Sequence, residues 1–413
     1  MAMIEKEFSC RSPEYVKYFK CEGDICRARC CKGFQVDIDR QTHEKYKSIK
    51  DKSIRSKILN TLIWNKPSNT YRMSLRAGAV CPMLQDDCLC FIQKNFGHEF
   101  LSDVCADYPR RTFVVDQVVE RSMALTCPIA ARLALLNPEP MKFEQITFKT
   151  TRANSFFYRS ISEVPTRKYL LTLQDFSIDI LQDRRLSINN RLIALGIILS
   201  EVDALIANGR DNDLKLISGV YHSEDYFGQL QAKIQTFKFN REQYLRIMLG
   251  LMEQIVPNAV VYFAPDQRNF AKYLLEAFEF VSSPTKSMTE LFELYDKNIA
   301  IYKKNAHNPF NHVLENYIVH SFFAGIYPCH MPGTLLNNYL LFLALYKFFE
   351  FGVISMTAVM KERFSIYDLL EFAERFCNRI DHATSFQQIT LDYIISLQKQ
   401  PLELMTSLID FEI

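Results

Sequence analysis

Cys21-Glu22-Gly23-Asp24-Ile25-Cys26-Arg27-Ala28-Arg29-Cys30-Cys31-Lys32-Gly33-Phe34 places four thiols within eleven residues, two of them adjacent. Cys81, Cys88, Cys90, Cys105 and Cys127 follow, and with Cys10 they put ten of the twelve cysteines before residue 130. Thiolates gather this way either to hold a soft metal or iron–sulfur centre or to staple a small secreted fold. A chain of 413 residues buries a sizeable core without disulfides. Its opening, Met-Ala-Met-Ile-Glu-Lys-Glu-Phe, carries acids where a secretory leader needs an apolar run. The expectation is therefore a cytoplasmic protein with reduced thiols, and the metal reading is preferred to the disulfide one.

The cysteine loop sits in an irregular region. Residues 1–20 read as a short lead-in, with Tyr15, Tyr18 and Phe19 available to pack beneath the loop. Phe34–Asp39 alternates apolar and polar residues like a short strand, and Arg72–Leu75 suggests another. Gln41–Trp64 carries apolar residues at helical spacing. Phe91–Phe96 predicts a helix closed by Gly97, and Thr112–Val119 a small hairpin about Asp116-Gln117. Cys127-Pro128 opens a further helix, since proline suits a first helical turn. After residue 150 helical periodicity dominates, beginning with 167–182, 187–208, 229–238, 242–255, 266–280 and 288–304. It continues over 308–323, 335–351, 356–362, 366–378 and 385–400. The fold class expected is mainly α: a multi-helix body over 141–413 and a cysteine-rich region over 1–140 containing short β elements.

Other classes are disfavoured. A net charge of +2 argues against a nucleic-acid partner. The most apolar stretch, Leu335–Ile354, is interrupted by Asn337, Asn338, Lys347 and Glu350, so it reads as a buried helix without membrane insertion. No glycine-rich phosphate loop follows a strand, which removes the Rossmann and Walker fingerprints.

Two blocks together carry a family resemblance. Cys21-x4-Cys26-x3-Cys30-Cys31-x-Gly33 resembles the opening of the zinc- or iron-chelating cysteine-cluster family. Cys81-Pro-x-Leu84, Leu89-Cys90-x-Ile92 and Cys105-x-x-Tyr108-Pro109-Arg110 resemble its second half. Ser122-x-x-Leu125-x-Cys127-Pro128-x-Ala130-Ala131-Arg132 resembles one branch, the flagellin lysine N-methylases. Asn190-Arg191-Leu192 with Leu195-Gly196, and Glu315-Asn316-Tyr317, extend the likeness into the helical body. The resemblance implies methyl transfer from S-adenosylmethionine to surface lysines of flagellin, with a metal or iron–sulfur centre. The radical Cys-x3-Cys-x2-Cys motif is absent, because Cys26-x3-Cys30 fits but residue 33 is glycine.

The motif-matched cysteines are Cys21, Cys26, Cys30, Cys31, Cys81, Cys90, Cys105 and Cys127, more than one centre needs. The expectation is a 4Fe-4S cluster drawing on both blocks, with zinc as the alternative. Cys10, Cys329 and Cys377 read as packed small hydrophobes. Methyl transfer to lysine needs a neutral amine, so Tyr108 and Asp107 are candidate catalytic groups beside the cysteines. Arg110 and Arg111 are candidates for the donor's carboxylate. Glu315 and Asn316, polar residues on an apolar helix, suit either a donor contact or a satisfied buried network. A non-catalytic metal-binding or redox protein is the competing reading.

Overall fold

The computed structural model describes residues 5–26, 29–152, 155–261, 269–280, 285–305, 310–380 and 384–410. They divide into two compact units, one of residues 5–133 and 142–158, the other of 134–141, 159–261 and 269–410.

The first unit is built on a five-stranded sheet. Lys6–Pro13 forms β1 rather than a lead-in, with Cys10 and Ser12 buried on one face. Three strands of the small second sheet follow: β2 (Asp37–Ile38), β3 (Leu62–Asn65) and β4 (Thr70–Met73). The main sheet is completed by β5 (Arg110–Val115), β6 (Val118–Met123), β7 (Phe143–Thr150) and β8 (Phe157–Arg159), in the order β7-β1-β6-β5-β8. β1 pairs antiparallel with β7 and parallel with β6, so Phe8 faces Phe148 and Cys10 faces Ile146. The expected hairpin is β5–β6, its turn at Asp116 with φ +51°.

The helix expected over 41–64 is divided. Asp39 caps Arg40–Lys47, and the Asp51 carboxylate accepts the N–H groups of Ser53 and Ile54 to start a new helix, Lys52–Leu59. Leu62-Ile63-Trp64-Asn65 then leaves helical geometry because Thr70–Met73 offers it a ladder, with the order β2-β4-β3.

The second unit is helical, and the mainly α class holds for the whole molecule. Helices Leu170–Leu181, Ile188–Ala207, Glu224–Thr236, Arg241–Val261, Met288–Asn305, Asn311–Ala324, Ile366–Ile380 and Thr384–Ser396 answer the periodic segments. The helix expected from 266 is described from Asn269; residues 266–268 lie outside the described residues, as do 308–309. The segments at 335–351 and 356–362 merge into one helix, Leu335–Met360. That helix is long and apolar enough to cross a membrane by composition, yet 94% of its most apolar window is buried inside the protein. A helix apolar on all sides is what the centre of a helical body requires.

Gly352 lets this helix approach Ile366–Ile380, because a Cβ there would overlap the Phe372 ring. Gly352→Ala is expected to destabilise the protein by ~1–3 kcal/mol despite alanine's better helix propensity. Unchanged or raised stability in urea would reject this packing.

Asp183 closes the helix before Ile188–Ala207. Burial pushes its carboxyl up, but Arg185, through side chain and backbone, and the Tyr221 hydroxyl outweigh that and hold it at about 2. A depressed carboxyl contributes fully above its unfolded value of ~3.9 and loses the contribution as pH falls through the folded one. Asp183→Asn is therefore expected to cost ~1–2 kcal/mol at pH 6. The gap to the parent protein should close as pH drops toward about 2, and a pH-independent gap would contradict the assignment.

Candidate functional site

The cysteine region is stitched together by backbone before any side chain is considered. Cys81 N–H donates to Cys31 carbonyl at 2.8 Å and Gly33 N–H to Ala79 carbonyl at 2.9 Å, so the first block lies against the second. Gly23 and Gly33, at φ +56° and +83°, make the reversals that the loop needs. Cys105 is carried by the short helix Asp103–Asp107, capped by Ser102, and Cys127 precedes the helix Pro128–Leu135.

These elements enclose a cavity of about 270 Å³ lined by Cys21, Cys26, Cys30, Cys105 and Cys127. The other three motif-matched cysteines stand beside it. Cys31 Sγ lies 4.0 Å from Cys30 Sγ, and its thiol is raised by hydrogen bonding with Cys30 and then Cys81. That hydrogen bond brings Cys81 down to about 7, and the N–H groups of Met83 and Leu84 act in the same direction. Burial raises Cys90, and Cys81 and Cys30 lie near enough to add to it. Burial pushes Cys127 up to about 12, against the N–H groups of Ala130 and Ile129. Burial likewise holds Cys10 at about 11, beside Arg121 and Glu120. Cys10, Cys329 and Cys377 are buried, and Cys88 is half-buried at φ +62°.

All eight motif-matched cysteines thus meet in one region of one unit. Among the described residues, no group of three or more Cys, His, Asp or Glu side chains is arranged to hold a single metal ion. The donor set nevertheless suits a soft centre. Sulfurs are plentiful, and the cavity has room for a polyatomic group.

The remaining candidates are distributed unevenly. Tyr108 lines the cavity, and its hydroxyl pairs with Thr126 Oγ1 at 3.0 Å. Asp107 accepts from Arg121 at 2.8 Å and from Ser155 at 3.1 Å. Arg110 lines the cavity with its guanidinium over Phe19. Arg111 turns instead to the Phe113 and Phe157 rings. Sequence reasoning missed His98, which lines the cavity and pairs with the Ala106 carbonyl at 3.2 Å. Its signal was a histidine directly after Gly97, between two cysteine blocks.

Glu315 and Asn316 belong to the helical unit. The Asn316 amide donates to the carbonyls of Leu135 and Asn137 at 3.2 and 2.7 Å, a buried bracket. Glu315 is clamped by Arg184 at 2.8 Å and by Arg191 at 2.6 Å. It lines a second cavity of about 440 Å³ with Arg184, Arg191, Asn189, His312 and Glu350. The sequence signal for this site was Lys347 and Glu350, an i,i+3 pair inside the most apolar helix.

A family model described as FliB lysine N-methylase C-terminal domain matches residues 174–408. Two proteins named lysine-N-methylase, from Salmonella choleraesuis (strain SC-B67) and Salmonella typhimurium (strain LT2), are 32% identical over 145 residues. Those alignments cover 34% of this chain and 36% of each relative, so the chain spans about a third of their length. The flagellar biosynthetic protein FliU of Salmonella muenchen is 32% identical over 139 residues, which is 33% of this chain and 82% of FliU. No solved structure matches.

Proposed function

The chain belongs to the FliB lysine N-methylase family, and on that premise we propose that it is a cytoplasmic protein-lysine N-methyltransferase. The donor in this reading is S-adenosylmethionine, and the acceptors are surface lysines of flagellin. The observation that carries the reading is the family match over 174–408, which takes in most of the helical unit. Relatives named lysine-N-methylase and a flagellar biosynthetic protein support the acceptor class.

The chemistry sets clear demands. A free lysine ammonium titrates near ~10.4, so the acceptor must lose a proton before it reacts. Its lone pair then forms the N–C bond to the sulfonium methyl while the C–S bond breaks and its electron pair stays on sulfur. A water-poor, in-line arrangement lowers both costs.

The cysteine cavity is assigned to an iron–sulfur centre held by a subset of Cys21, Cys26, Cys30, Cys31, Cys81, Cys90, Cys105 and Cys127. When bound, such a centre clips the cysteine blocks together and supplies one-electron chemistry. Tyr108 and Arg110 form part of its polar wall.

The test is anaerobic purification, iron, sulfide and zinc analysis, then transfer of labelled methyl groups from S-adenosylmethionine to flagellin. Transfer, with about four irons and four sulfides per chain, is expected. Cluster-replete protein that labels no flagellin would sink the methylase reading. A colourless, zinc-bearing but active protein would replace the cluster by a structural clip.

A further inference from the structure

The second cavity is a different kind of site from the cysteine one. It lies wholly within the helical unit, and buried charge forms its wall. Glu315, 4% exposed, accepts Arg184 Nε on both oxygens, Arg184 Nη2 and Arg191 Nη1. Those contacts use the carboxylate's capacity of about four lone pairs. Arg184 Nη2 also donates to the Pro138 carbonyl, and Arg191 Nε and Nη1 donate to the carbonyls of Leu186 and Leu181.

A guanidinium carries five N–H donors. After these bonds, Arg184 Nη1 and Arg191 Nη2 have no hydrogen-bond partner among the described residues. Glu315 therefore acts as a brace that fixes two forks while leaving one end of each available. Two helices, Ile188–Ala207 and Asn311–Ala324, also begin in the cavity wall with Ser187, Ile188, Asn189, Asn311 and His312. Their N-terminal dipole ends add positive potential. The combination is a preorganised acceptor for a carboxylate.

The same wall holds a charge of the other sign. Glu350, 3% exposed, accepts the Tyr346 hydroxyl on Oε1 and Lys347 Nζ on Oε2. That leaves about two of its lone pairs for a further donor. A cavity with spare guanidinium N–H groups and a carboxylate with spare lone pairs matches a zwitterionic α-amino acid. Its volume of about 440 Å³ also falls within the ~300–1,000 Å³ of small-molecule sites.

We propose that this cavity in the helical unit, not the cysteine cavity, docks the amino-acid end of the methyl donor: its α-carboxylate on Arg184 and Arg191, its α-ammonium on Glu350. The proposal rests on the methyltransferase reading and locates the donor within it.

The experiment is calorimetry on the full chain with S-adenosylhomocysteine and with 5′-methylthioadenosine, which lacks the amino-acid end. Arg184 is 44% exposed along its side chain and Arg191 still compensates Glu315 in its absence, so Arg184→Ala is expected to fold. It should lower S-adenosylhomocysteine affinity by roughly 10- to 100-fold and leave methylthioadenosine affinity within about twofold. Glu350→Gln is a second variant, expected to act in the same direction with the same selectivity. Equal affinity of the parent and both variants for S-adenosylhomocysteine, in protein that methylates flagellin, overturns the proposal and leaves the function standing. Loss of affinity in Arg110→Ala alone would move the donor to the cysteine cavity and likewise overturn it. A parent protein that neither binds S-adenosylhomocysteine nor transfers methyl groups removes both.

Discussion

On the proposed reading of the cysteine cavity as an iron–sulfur site, Cys81→Ser is expected to abolish iron binding and to lower methyl transfer by about 100-fold or more, beyond what loss of a supporting contact produces. Cys81 joins the two blocks: its N–H donates to the Cys31 carbonyl, and its thiol is brought down to about 7, with the neighbouring Cys31 the largest cause. Serine keeps the backbone link but replaces a soft donor by a hard one, which a soft metal centre does not accept. Cys88→Ser is the control, since Cys88 is a half-buried thiol of the same block that falls outside the eight motif-matched cysteines. Iron and sulfide analysis with the visible spectrum decides between them. Full iron content in Cys81→Ser, with loss in Cys88→Ser, would require a different ligand set.

Lys347→Met is expected to cost ~3–5 kcal/mol of stability, because it strands a buried carboxylate. Lys347 is fully buried and donates to Asn189 Oδ1 at 2.5 Å and Glu350 Oε2 at 2.7 Å. Methionine fills much the same volume, so the cost is electrostatic rather than a cavity. Replacing both charges, Lys347→Met with Glu350→Leu, should recover most of the loss, as paired buried ions are often replaceable by apolar residues. Denaturant unfolding of the two single variants and the double variant measures the coupling. A Lys347→Met protein within ~1 kcal/mol of the parent would show that Glu350 does not depend on Lys347 for compensation.

The helical body was legible because its signal is local. Residues such as Leu195, Ile198 and Val202 recur every three or four positions and are buried where periodicity puts them. The strands were read less well. β1 carries a weak alternation over eight residues, and its partners lie in Val118–Met123 and Phe143–Thr150. The helical pattern over 41–64 misled because Asp51 restarts the chain and the Thr70–Met73 strand draws Leu62–Asn65 into a sheet.

The candidate site divides in the same way. The cysteine blocks, their proline and glycine punctuation, and the intrusion of Lys347 and Glu350 into an apolar helix are facts of order along the chain. They determined by themselves which residues were chemically unusual. The folded molecule alone decided what those residues do to one another. It brought thiols up to 106 positions apart around one cavity, from Cys21 to Cys127. It also turned Arg111 to an aromatic pair and left Arg110 facing the thiols. Glu315 became a brace that orients Arg184 and Arg191. Periodicity reports which face of an element is buried, because that depends on neighbours three or four residues away. Which charge meets which across helices depends on separations of more than 100 residues, and only packing sets those.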